Sequence, residues 1–157
     1  MSKAILIFAC IFSMCVKPPE YVAVSDKSVE IYAKSILIDR MKILSIGGFY
    51  HQNLVEKLYL DLDYQGILSD EAANKMIGGY VKGLLTHINQ DESLKGFLIK
   101  SEFSENDISI SLSFTSEQGK QSQVHVYNHK VIFSTYNKET NQLIEDRSIP
   151  LTLDPYQ

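Results

Sequence analysis

Asn53-Leu54-Val55-Glu56-Lys57-Leu58-Tyr59-Leu60-Asp61-Leu62-Asp63-Tyr64 admits two periods. Asn53 followed three residues later by Glu56 imitates the capping box that opens a helix, and Leu54, Val55, Leu58, Tyr59 and Leu62 keep a helical step. Leu58, Leu60, Leu62 and Tyr64 also alternate with Tyr59, Asp61 and Asp63, as in a strand. We read the stretch as helix, which makes the first half of the domain helical throughout.

Working outward, Val29, Tyr32, Ala33, Ile36, Leu37, Met41 and Leu44 recur at steps of three and four and predict one more helix, closed by Gly47-Gly48. Downstream, Ser69 caps the strongest helical pattern, in which Ala73, Met76, Ile77, Tyr80, Val81, Leu84, Leu85 and Ile88 form a continuous apolar face. Gly78, Gly79 and Gly83 lie inside it at a cost of about 1 kcal/mol each relative to Ala, which we read as room for another backbone. Asp91 to Leu98 reads as a short further helical stretch.

After Phe103 the period falls to two. Ile108, Ile110, Leu112 and Phe114 alternate with Ser109, Ser111, Ser113 and Thr115, a half-buried strand with a polar outer face. A turn at Glu117 to Lys120, a hairpin at Asn128-His129 and a turn at Asn137 to Asn141 separate three further strands, around Val124 and Val126, from Val131 to Tyr136 and from Gln142 to Ile149. Pro150 marks an end or an edge. The expected fold class is α+β, a single domain over 29–153, with helices in 29–98 packed on a four-stranded antiparallel β-meander in 106–149. Its outline is cystatin-like by analogy, which implies no function.

Ahead of this domain, Lys3 precedes an uncharged run from Ala4 to Val16. A secretory signal has an apolar core of about 7–15 residues, whereas a membrane span needs about 20. Residues 1–15 therefore read as a signal peptide cut after Cys15, with Ser13 and Cys15 as the small residues before the cut, or as a lipoprotein signal that leaves Cys10 or Cys15 acylated. Lys17-Pro18-Pro19 and the polar residues to Ser28 read as a linker over 16–28. The chain holds two cysteines, both in that leader, so removal of 1–15 excludes a disulfide framework, a thiol nucleophile and a thiolate metal site. Lysine plus arginine number 15 against 19 aspartates and glutamates, an acidic balance that argues against a nucleic-acid partner.

Asn89, Glu92, Leu94, Lys95, Phe97 and Leu98, then Phe103-Ser104, then Asp107-Ile108-Ser109-Ile110 and Phe114, resemble a loose family of small exported hypothetical proteins of intracellular bacteria. The resemblance spans roughly Ser69 to Glu145. It implies export and the α+β architecture, and it supplies no activity and no catalytic residue.

Chemistry-bearing residues are sparse. Laid on a calcium-binding EF-hand loop, residues 61–72 put Asp61, Asp63, Gln65 and Ser69 at ligand positions and Gly66 at the turn, but Ala72 stands where a bidentate Glu belongs. The competing reading makes Ser69 a helix cap with Asp70-Glu71 complementing the helix dipole. Of the four histidines, His125 and His129 flank a hairpin without a third metal ligand, His87 ends a helix and His51 sits in a connection. Glu105 with Asp107 and Glu145 with Asp146 are carboxylate pairs, but a sugar cleft usually rich in Trp has none here. Tyr127, Phe133 and Tyr136 gather on neighbouring strands as an aromatic interaction patch.

The expectation is an exported, periplasmic, envelope or secreted domain that works as a non-enzymatic protein-interaction module, without a cofactor, with a protein partner and with lipid anchoring as one route to the membrane. The alternatives are a calcium-binding domain with a degenerate loop and a small hydrolase or ligand carrier.

Overall fold

Gln52 and Asn53 have φ of 49° and 66° in the structure, a computed structural model that describes residues 17–117, 120–127 and 130–151. Two successive residues at positive φ make the tight turn of a β-hairpin, and Asn is among the residues that tolerate it. The turn joins β1 (Met41–His51) to β2 (Leu54–Ile67), antiparallel, with His51 facing Leu54 across it. The helices expected at 54–62 and beyond Ile36 are therefore strands, and Asn53 turns a hairpin instead of opening a helix.

Sequence periodicity missed β1 for a local reason. The pairing slips between Ile43 and Ser45, where Leu44 is the extra residue, and slips again between Phe49 and Tyr50. The Leu44 bulge shifts side-chain alternation along β1 by one, so its apolar residues recur at mixed steps that imitate a helix; at the second slip the extra residue is Glu56 of β2. Gly47 lies mid-strand, and a methyl group there would come within 2.5 Å of the Tyr59 hydroxyl.

The first helix, α1 (Glu20–Ile36), starts earlier than its apolar stripe suggests, so most of the expected linker is helical. Its buried side includes Ser25 and Ser28 as well as Val29, Tyr32 and Ala33. Pro19 occupies the N-cap, and Glu20 places a negative charge in the first turn, where the helix dipole favours it. The second helix, α2 (Asp70–Gln90), begins as expected at Ser69, whose hydroxyl accepts a hydrogen bond from the Ala72 N–H at 3.2 Å.

Four strands follow: β3 (Ile108–Glu117), β4 (Lys120–Tyr127), β5 (Lys130–Asn137) and β6 (Leu143–Pro150). Residues 118, 119, 128 and 129, on which the two expected turns fall, lie outside the described residues. The fold class is α+β, with two helices and one six-stranded mixed sheet in the order β1-β2-β3-β4-β5-β6. The four-stranded antiparallel meander of the sequence reading is its β3 to β6 portion. Beyond it, α2 carries the chain back so that β3 lies parallel to β2, a connection that needs an intervening helix.

Both helices lie against one face. Leu58, Leu60 and Leu62 of β2 and Ile110 and Leu112 of β3 are fully buried beneath them, each leucine or isoleucine contributing roughly 1.5–3 kcal/mol. Asp91 to Leu98 forms turns in place of the expected helix, but Leu94 and Leu98 are buried as anticipated. Val55 anchors this segment through its N–H to the Phe97 carbonyl at 2.7 Å and its carbonyl to the Ile99 N–H at 3.0 Å.

The helix glycines differ. A methyl on Gly83 would meet the Tyr32 hydroxyl at 2.5 Å, so this glycine admits α1, through a side chain that donates to the Tyr80 carbonyl at 2.9 Å. Gly79 faces open space.

Candidate functional site

On the sheet face away from the helices, alternation brings Ser45, Asp61, Ser111 and His125 side by side on β1 to β4. The Ser45 hydroxyl donates to Asp61 Oδ2 and the Ser111 hydroxyl to Oδ1 at 2.6 Å. Both serines thus spend their protons on a carboxylate. A nucleophilic serine needs a base of imidazole strength to take its proton. His125 lies opposite Ser111 in the register, and burial pushes its imidazole below the ordinary value while Asp146 acts upward.

A second group of hydrolase-like residues pins the helices together. The Ser28 hydroxyl donates to Asp91 Oδ2 at 2.5 Å, and His87 Nε2 lies 3.1 Å from the Ser28 carbonyl oxygen and 3.2 Å from its hydroxyl. A carbonyl only accepts, so Nε2 carries the proton and cannot act as a base toward Ser28. Burial pushes the Asp91 carboxyl up, but hydrogen bonds from Ser28 and Ser93 and the His87 charge outweigh it and hold the group below its ordinary value. Ser28 is 2% exposed. This arrangement joins α1 to the end of α2.

Asp107, half of an expected carboxylate pair, is also structural. It takes Lys100 Nζ at 2.5 Å and the Ser104 N–H and hydroxyl, each at 2.8 Å. Burial acts upward on its carboxyl, and these donors with the Lys100 charge overcome it and lower the group from its usual range.

The calcium reading loses its geometry. Asp61 to Ile67 belong to β2, whose extended backbone spreads Asp61, Asp63 and Gln65 along a strand, while Ser69 caps α2. An EF-hand wraps one ion with a loop between two helices, and here a strand replaces the first helix and most of the loop. Among the described residues no group of three or more His, Cys, Asp or Glu could hold a metal ion.

The aromatic patch is divided. Phe133 is 2% exposed and belongs to the core, with the Arg147 guanidinium 4.8 Å from its ring centroid. Tyr136 is half-buried, and the Tyr127 side chain lies outside the described residues. Cys10, Cys15 and His129 lie outside them as well, and His51 is exposed at the end of β1.

A hollow of about 670 Å³ is an open surface depression between α2 and residues 102–105. Asn89 spends its side chain there on the Phe103 backbone, donating to the carbonyl at 2.9 Å and accepting from the N–H at 2.8 Å.

The sequence reading placed a strand at Gln142 to Ile149, which is β6, but gave its exposed apolar residues no role. Its residues Leu143 to Ser148 are all exposed, Leu143 and Ile144 at 56% and 51%, and it ends the sheet order. Leu143-Ile144 ahead of a charged triplet, with Pro150 at the strand end, was the available signal for an apolar edge.

No family model, curated protein or solved structure matches the chain.

Proposed function

We propose that the chain is an exported, non-enzymatic domain that binds another protein, released by cleavage after Cys15 or held by lipid at Cys10 or Cys15. The observation that carries the interaction reading is β6, an eight-residue strand with two large apolar side chains in solvent and an outer edge that no described strand covers. Exposed strand edges are docking sites when they are not shielded. Supporting it, the Ser, His and Asp groups that resemble catalytic sets are tied into hydrogen bonds whose proton direction suits cross-linking of elements. Export rests on the uncharged Ala4 to Val16 run behind Lys3. No described helix is long and apolar enough to cross a membrane.

Cell fractionation with intact-mass analysis tests export. The expected product begins at Val16 or at an acylated cysteine and is found outside the cytosol. A cytosolic chain that still begins at Met1 overturns it.

A further inference from the structure

Resting on that interaction reading, we infer that β6 receives an extended partner segment by strand addition, and that this segment carries basic residues at its centre flanked by apolar ones. The recognition follows from how β6 distributes its charges. Arg147 is its one cation, and it is engaged within the chain: it pairs with Asp70 at the start of α2, lies over the Phe133 ring and approaches Glu145 at 3.5 Å. Glu145 and Asp146 are both exposed, and as neighbours in a strand they face opposite sides of the sheet. A segment laid along the outer edge therefore meets a carboxylate on each face at mid-strand. Toward one end it meets Leu143 and Ile144.

A second copy of the chain fits poorly. Two β6 strands related by a twofold axis pair antiparallel, because a closed dimer uses the same patch on both subunits. Registers centred on Glu145, Asp146 or Arg147 then set that residue against itself, and like charges directly opposite are destabilising. A Lys-Arg pair in an unrelated segment has no such conflict.

The other end of the sheet supports the choice of edge. A bulge at Leu44 interrupts β1, its pairing with β2 slips again at Glu56, and α1 packs against its face. The one register irregularity of β6 lies at its start, between the partners of Thr135 and Tyr136, and the run from Glu145 to Pro150 pairs with β5 without a break.

The test uses the purified chain and two synthetic octapeptides of Val and Thr, one with Lys-Arg at its centre and one with Glu-Asp. Binding is followed by fluorescence anisotropy at low salt and at 0.15 M, where screening acts within about 8 Å. The expected result is preference for the basic peptide, weakened by salt. The double variant Glu145→Lys/Asp146→Lys, checked for folding by circular dichroism, is expected to bind the basic peptide about tenfold less tightly and to gain the acidic one. Reversal of two exposed charges, each weakly coupled to a partner, accounts for that size. Binding of neither peptide, equal binding of both, or a preference unchanged in the double variant overturns the assignment. The export result is separate: an exported chain without peptide preference loses the β6 assignment alone, and a cytosolic chain with the preference loses export alone.

Discussion

The two edges of the sheet are built in opposite ways. β1 carries a bulge at Leu44 and faces a second at Glu56 of β2, packs against α1 and connects to β2 by a two-residue turn. β6 has bare sides over Leu143 to Ser148 and reaches the helices chiefly through the Arg147 to Asp70 ion pair. Irregular pairing near Leu44, Phe49 and Tyr50 interrupts β1, whereas the regular run of β6 from Glu145 to Ile149 is guarded by charge. A charged guard is selective, because it repels its own sign and admits the other. The comparison therefore separates an interrupted edge from one closed only to the wrong partner.

Substitutions sharpen this contrast, beginning beneath the helices. Leu60→Ala, in a fully buried position of β2, is expected to cost about 2–5 kcal/mol by urea denaturation, since it removes packed atoms and leaves a cavity. Asp107→Ala strips the Ser104 N–H and Lys100 of their partner where β3 begins and should cost about 1–3 kcal/mol. Gly83→Ala drives a methyl into the Tyr32 hydroxyl and is expected to cost about 1–3 kcal/mol, with loss of the bond to the Tyr80 carbonyl. Gly79→Ala, four residues earlier and facing open space, should instead stabilise by up to about 1 kcal/mol. Ile144→Ala on β6 should change stability by less than about 0.5 kcal/mol. A large loss there would show that β6 is part of the core, and the contrast between the edges would fail.

Acid probes the ties outside the sheet. Asp91 and Asp107 have carboxyls lowered in the folded chain, so they take up protons more readily when it unfolds. Their contribution is full well above the unfolded value of about 3.9 and is lost as pH falls through the folded values. Unfolding midpoints measured between about pH 6 and 2 should therefore decline below about pH 4. Asp107→Asn should flatten that decline, and an unchanged slope would contradict its assignment.

Legibility in the sequence followed the regularity of each element. The second helix keeps an unbroken apolar face from Ala73 to Ile88 behind a serine cap, and β3 alternates without interruption from Ile108 to Thr115, so both were readable. The first strand was hidden because Leu44 sits in a bulge and resets the alternation. The first half of α1 was hidden because Ser25 and Ser28, small and polar, occupy its buried side, and only the tertiary hydrogen bonds of Ser28 to Asp91 and between the Ser25 and Tyr50 hydroxyls make them suitable there. At the candidate site, the aromatic count pointed to Phe133, but a strand residue facing the helices is buried whatever its chemistry. The exposed apolar pair beside the acids was visible as letters, but its exposure depends on β6 being outermost, which no local pattern states.

Residue-resolved amide hydrogen exchange, with and without the basic octapeptide at saturation, tests the central claim most directly. Strand addition at β6 is expected to slow exchange of outward N–H groups between Leu143 and Ile149 and to leave the amides of β1 unchanged. Protection that appears on β1, or a bound peptide that protects neither edge, would contradict it.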